Sequence, residues 1–125
     1  MNKDLNYIKA YLIGALKAHG QSLKTALDTP EKFEVKGTIE AMQGKKKVDG
    51  IYFASVVPKP KDVRFYFFPT YTHAEELKKD MPEALQKCLK GKSCFHIKGL
   101  DESLEKSIKD LVEKGVEVYK RDGLL

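Results

Sequence analysis

A two-residue alternation over residues 33–41 is the feature that most constrains the fold of this chain. Apolar or small residues alternate there with polar ones, in the order Phe33, Glu34, Val35, Lys36, Gly37, Thr38, Ile39, Glu40 and Ala41. Successive side chains of a β-strand point to opposite faces of the sheet. The segment therefore predicts a strand with one buried face and one solvated face, as antiparallel sheets contain.

Two further strands are predicted at residues 48–57 and 63–68. Gly44 and the lysines at 45–47 separate the first two strands, so these two should form a hairpin with an exposed basic tip. Residues 58–62, which include two prolines, form the next turn. Both faces of the second and third strands are apolar or aromatic, so we expect them to be central and covered on both sides.

Helical periodicity is found at the N-terminus and in the middle of the chain. Apolar residues at spacings of three and four predict an amphipathic helix over residues 3–19, ended by Gly20. Residues 21–27 are compatible with a short second helical piece. A longer helix is predicted to begin at Thr72, because its spacing from Glu75 is that of a capping box.

The last part of the chain predicts one more strand and one more helix. Pro82 should kink the middle helix or split it in two. Residues 93–98, bracketed by glycines, predict a fourth short strand. Asp101 is a suitable N-cap for the final helix, which ends either at Gly115 or near Lys120.

The predicted order of elements is α-β-β-β-α-β-α. We expect an α+β fold, a two-layer α/β sandwich in which three helices pack on a four-stranded antiparallel sheet. The chain has 125 residues and a mass of 14.2 kDa, a size typical of one domain. Residues 1–125 are therefore expected to form a single domain.

The composition limits the partners and the location. We find neither a run of ~20 apolar residues nor the order of a signal peptide, so no membrane association is expected. Cys88 and Cys94 are the only cysteines, too few for a disulfide framework, and we expect a cytoplasmic protein. The net charge of +5 comes mainly from lysine, which recognises phosphate less specifically than arginine, so nucleic acid is not the expected partner.

No catalytic array or cofactor motif can be assembled from the sequence. Residues 89–93 lack the first glycine of a phosphate-binding loop and lead into a strand. Cys88, Cys94 and His96 lie close in sequence, yet Cys88 falls on the apolar stripe of a helix and no fourth metal ligand is in reach. Cys94 and His96 are ~6.5 Å apart along a strand, too far for a nucleophile and its base. We therefore expect no enzyme, no metal site and no cofactor.

The candidate ligand-binding residues are Tyr52, Tyr66 and His96, with Phe53 as an alternative to Tyr52. They are expected to meet on the sheet face away from the two C-terminal helices, as an aromatic floor with polar edges. Two interpretations of that face stay open. Either it receives a ligand, or the helix over residues 3–19 covers it as ordinary core.

The chain resembles the YdhG-like family of bacterial domains over about residues 33–120. The segments that carry the resemblance are Ile51-Tyr52-Phe53, Phe65-Tyr66-Phe67-Phe68-Pro69-Thr70-Tyr71-Thr72, Leu89-Lys90-Gly91-Lys92-Ser93-Cys94-Phe95-His96-Ile97-Lys98 and the closing amphipathic helix. The resemblance implies a frataxin-like α/β sandwich. Some relatives look like intracellular iron chaperones, so iron is the one cargo that the resemblance implies.

The first helix departs from what iron binding in a frataxin requires, which is an acidic surface. Asp4 stands there against Lys3, Lys9 and Lys17, whereas a hard cation prefers clustered carboxylates. No iron-binding residue is therefore carried over by position. The expected function is that of a small intracellular binding or interaction domain, whose partner is a small molecule or a protein, and the alternative is an iron chaperone.

Overall fold

The computed structural model describes residues 1–125 and contains eight strands and five helices. The strands are β1 (Leu23–Thr29), β2 (Lys32–Gly37), β3 (Ala41–Gln43), β4 (Lys46–Val48), β5 (Tyr52–Pro58), β6 (Val63–Phe67), β7 (Leu89–Lys90) and β8 (Cys94–Ile97). The helices are α1 (Leu5–Lys17), α2 (Pro69–Thr72), α3 (Ala74–Lys79), α4 (Glu83–Gln86) and α5 (Glu102–Arg121). No helix combines the length and the apolar character needed to cross a bilayer.

Six strands form one antiparallel sheet in the order β1-β2-β5-β6-β8-β7, and β3 and β4 form a separate hairpin. The α+β prediction with an antiparallel sheet is confirmed. The four-stranded sheet and the order α-β-β-β-α-β-α are wrong, because the sheet has two more strands and the middle of the chain carries three short helices. The frataxin-like order of elements is accordingly not matched.

One face of the sheet is the hydrophobic core. Its central row of cross-strand neighbours is fully buried and consists of Phe33, Val56, Phe65 and Phe95. Helix α5 lies on this face, because the Tyr119 ring meets the Phe53 ring edge-on with centroids 5.6 Å apart. Removing these aromatic rings from water supplies much of the stability of the fold.

Helix α1 packs on the same face, beside α5. The Tyr11 hydroxyl donates a 2.8 Å hydrogen bond to the Glu105 carbonyl on α5, and the Lys17 ammonium lies 5.6 Å from the centre of the Phe33 ring. The apolar stripe of α1, formed by Ile8, Leu12, Ala15 and Leu16, is buried. Both long helices therefore form one layer on one side of the sheet.

The ends of the long helices follow from their caps. The Asp4 carboxylate accepts a 2.9 Å bond from the Asn6 backbone N–H and so begins α1. The Asp101 carboxylate accepts a 2.8 Å bond from the Leu104 N–H, which confirms the predicted N-cap of α5. Gly115 does not end α5, which continues to Arg121.

Two predictions about the first half of the chain are wrong. Residues 21–27 are not helical: Leu23 and Leu27 have helical spacing, but their segment pairs along β2 as an edge strand. The strand predicted over 33–41 stops at Gly37, because Gly50 packs against the Gly37 backbone too closely for any side chain and the chain turns away there. The first two predicted strands do pair antiparallel, as β2 and β5. The basic tip between them is a separate hairpin of β3 and β4, in which Gly44 has a positive φ.

The predicted capping box at Thr72 is also wrong. The Thr72 hydroxyl lies 2.7 Å from the Tyr119 hydroxyl and 2.8 Å from His73 Nδ1, so it is engaged by neighbouring side chains and not by a backbone N–H. Pro69 instead begins a helix one turn earlier. The prediction that Pro82 splits the helical segment is confirmed, since it stands between α3 and α4.

Candidate functional site on the open face of the sheet

The sheet face opposite the helices carries a row of polar and aromatic side chains. Because cross-strand partners share a face, the pairing places five residues in one row, namely Glu34, Ser55, Tyr66, Cys94 and Lys90. A second, shorter row contains Arg64 and His96. We call this surface the open face.

Neither α1 nor α5 lies over the open face, since both occupy the other side. Tyr66, Cys94 and His96 are consequently half-buried, shielded by their neighbours within the sheet. The interpretation that α1 covers Tyr66 and His96 as core is wrong. The second and third predicted strands are central, as β5 and β6. Coverage on both sides is wrong for β6, where buried and half-buried residues alternate, whereas β5 is buried on both sides from Phe53 to Val56.

A β-bulge decides which of the two alternative residues joins Tyr66 and His96. Val35 pairs with Ala54 and Lys36 pairs with Tyr52, which leaves Phe53 as an extra residue in β5. The bulge turns Phe53 into the core, where its ring meets the Phe67 ring at 5.1 Å between centroids. Tyr52, and not Phe53, therefore shares the open face.

Tyr52 lies at the end of the open face nearest α2. Its hydroxyl is 2.7 Å from the Ser55 hydroxyl, and its ring lies 5.4 Å from the Phe68 ring, centre to centre. Burial raises the pKa of Tyr52 to about 12, so the phenol stays protonated and available as a hydrogen-bond donor or acceptor.

Tyr66 and Cys94 stand directly opposite each other on adjacent strands. Burial is the first cause that raises the pKa of each, and the charge of the neighbouring Cys94 adds to the effect at Tyr66. The thiol is thus held protonated near neutral pH, which is the weakly nucleophilic form. This environment suits a contact surface better than a reactive cysteine.

His96 stands beside a buried ion pair that the sequence interpretation missed. The Asp62 side chain is only 6% exposed, and its Oδ1 accepts a 2.9 Å bond from Arg64 Nε. The His96 imidazole makes no hydrogen bond to this carboxylate, since Nδ1 to Oδ2 is 3.7 Å. Burial and then Arg64 lower the pKa of His96, while Asp62 opposes them. An acidic residue two positions before Arg64, at the start of a strand, was the available sequence signal.

A cavity of about 510 Å³ opens where the outer edge of the open face meets α4. His96 and Cys88 line it together with basic side chains and Leu104. Cys88 and His96 are brought side by side, since the His96 backbone N–H donates a 2.8 Å bond to the Cys88 carbonyl. No group of three His, Cys, Asp or Glu side chains in the structure is placed to hold a metal ion.

Searches of protein-family models, of curated proteins and of solved structures find no match to this chain.

Proposed function

We propose that the chain is a non-catalytic binding domain whose ligand site is the open face, centred on Tyr66 and His96. The observation that carries this proposal is the imidazole of His96, which is half-buried on the face of the sheet opposite the two long helices and makes no hydrogen bond within the chain. A polar side chain placed in this way is available to a ligand.

The chemistry around His96 supports the same proposal. Tyr52 and Tyr66 present phenol groups, which combine an apolar ring with a polar end and are favoured at binding surfaces. The Cys94 thiol between Tyr66 and His96 adds a small polarisable contact. Together they make a half-polar floor rather than the uniformly charged surface typical of a solvated sheet.

Membership of the YdhG-like family is part of the proposal. The segments that carry the resemblance are adjacent in space: the aromatic strand is β6 with α2, and the segment around Cys94 includes β7 and β8. Tyr66 and His96 both lie in them. The segments that carry the resemblance therefore include residues of the surface for which a ligand is proposed.

Denaturant unfolding of His96→Ala and Tyr66→Phe tests the proposal. Side chains that face a ligand site make few stabilising contacts within the fold. We therefore expect each variant to lose less than about 1 kcal/mol of unfolding free energy. Phe95→Ala is the matched control, because Phe95 adjoins His96 on the same strand but is 0% exposed on the core face. It should lose about 3–5 kcal/mol.

A loss in His96→Ala as large as that in Phe95→Ala would contradict the proposal. It would show that His96 serves the packing of the fold. A large loss in Tyr66→Phe would mean the same for the hydroxyl of Tyr66, which stands opposite Cys94.

A further inference from the structure

The cavity at the outer edge of the open face has a size suited to a small molecule. Its volume of about 510 Å³ falls within the range of roughly 300–1,000 Å³ found for ligand pockets. Cys88 and Leu104 provide apolar wall, and His96 connects the cavity to the open face. The rest of the lining combines lysines with small, apolar and acidic residues.

Three lysines line the cavity, and two of them have no partner. Lys87 is paired with Glu83 at 3.4 Å, and Glu83 is the one acidic residue in the lining. The ion pairs of the chain include neither Lys90 nor Lys98. The cavity is therefore lined by two lysines without an ion-pair partner and by an imidazole.

We infer that this cavity binds the doubly charged head of a small organic anion, a phosphate monoester or a dicarboxylate, between Lys90, Lys98 and His96. The inference rests on the proposed function in one respect, that His96 faces a ligand. Two ammonium groups match two negative charges, and bonds to charged groups are the strong ones. The Cys88 and Leu104 wall suits the short apolar body of such a molecule.

The charges around His96 agree with this assignment. Burial is the largest cause that lowers the pKa of His96, and the positive charges of Arg64, Lys90 and Lys98 lower it further. Asp62 is the only charged neighbour that raises it, and Asp62 is already bonded to Arg64. The other ionisable residues of the lining are Cys88, the Lys87–Glu83 pair and Met1, which carries the N-terminal amino group. A bound dianion reverses the local potential and favours the imidazolium form.

NMR titration of the His96 imidazole between about pH 5 and 8 tests the inference. The probe is sulfate, because it stays a dianion over that range, and sodium chloride at equal ionic strength is the reference. We expect sulfate to move the His96 midpoint to higher pH in a saturable manner. The imidazole signals of His19 and His73, which lie outside the cavity, serve as internal references.

The double variant Lys90→Gln/Lys98→Gln should weaken sulfate binding by about tenfold for each lysine removed. Lys45→Gln/Lys46→Gln carries the same change in charge at the tip of the β3–β4 hairpin and should bind sulfate as the parent does. Both pairs of lysines are exposed, so neither variant should unfold. Separate titrations with methyl phosphate and with succinate in place of sulfate decide between a phosphate-bearing and a dicarboxylate ligand.

Absence of a saturable, sulfate-dependent shift at His96 would overturn the inference, as would equal losses in the two double variants. Neither result would affect the proposed function, which depends on the unfolding free energies of the His96 and Tyr66 variants. Conversely, if His96 served the packing of the fold, His96→Ala would lose much of its unfolding free energy whether or not the protein bound sulfate.

Discussion

The Nδ1 atom of His96 lies 3.7 Å from Oδ2 of Asp62. At this distance the carboxylate acts on the imidazole through its charge but accepts no hydrogen bond from it. Arg64 takes the other oxygen of the same carboxylate at 2.9 Å. The imidazole therefore experiences one negative and one positive side chain whose effects on its pKa oppose each other.

Replacing either member of this ion pair should move the pKa of His96 in a predictable direction. Arg64→Gln removes a positive charge that disfavours the imidazolium, so the pKa should rise. Asp62→Asn removes a negative charge that favours it, so the pKa should fall. NMR titration of the imidazole measures both, with Lys47→Gln in the distant hairpin as a control. An unchanged pKa in both variants would show that burial alone governs the group.

We expect the contribution of Asp122 to the stability of the fold to be lost in acid. Its carboxylate bonds to Arg121 Nε at 2.8 Å and to His73 Nε2 at 2.7 Å, and these bonds hold its pKa well below the ordinary value of 3.8. A carboxylate with a lowered folded-state pKa stabilises the fold above its unfolded pKa and loses that contribution as the pH falls through the folded one.

The parent should therefore exceed Asp122→Asn in unfolding free energy near neutral pH, and the difference should shrink below about pH 4. Denaturant unfolding at a series of pH values measures this difference. A difference that stays constant into acid would show that it does not come from the negative charge of Asp122.

Gly115→Ala should destabilise the protein although alanine favours helix. A methyl group there would collide with the ring of Phe67, and overpacking of a core costs typically about 1–3 kcal/mol. Gly14→Ala on α1 is the matched control, because no atom lies within 4 Å of its added methyl group. That variant should gain about 0.5–1 kcal/mol from helix propensity. Thermal unfolding of both variants distinguishes them, and a stabilised Gly115→Ala would mean that α5 can move off the sheet.

The tip of the β3–β4 hairpin should tolerate neutralisation. Lys45, Lys46 and Lys47 are exposed, and the single ion pair there, Lys47 to Glu40 at 2.8 Å, joins two well-solvated side chains. Changing all three lysines to Gln should alter the unfolding free energy by less than about 0.5 kcal/mol per residue. A cooperative loss of folding in the triple variant would contradict this expectation.

Periodicity predicted the elements whose burial is one-sided. Residues of α1 and α5 repeat at helical spacing because one stripe of each helix faces the sheet, and Asp101 caps α5 as predicted. The cap of α1 by Asp4 was not predicted, since Asp4 was placed inside that helix. The strand around Cys94 was predictable for the same reason, since glycines bracket it and its core-facing residues alternate.

Tertiary contacts decided what the sequence could not. Thr72 has the spacing of a helix cap, yet its hydroxyl is engaged by Tyr119, which lies 47 residues away. Gly115 resembles a helix stop, but its missing side chain makes room for Phe67. At the candidate site, alternation placed Tyr66 and His96 on one face. It could not show that α1 packs elsewhere, nor that Asp62 is buried beside His96.

The strand β1 closes one side of the sheet with seven residues that have no neighbour beyond them. A straight edge of this length offers a ladder of unpaired N–H and C=O groups to any second copy that meets it. In this chain the pairing slips between Thr25 and Leu27, so the edge is bent at Ala26. Docking would also remove the exposed charges of Lys24 and Asp28 from water. The bend and the charges are both features that disfavour edge-to-edge pairing of strands.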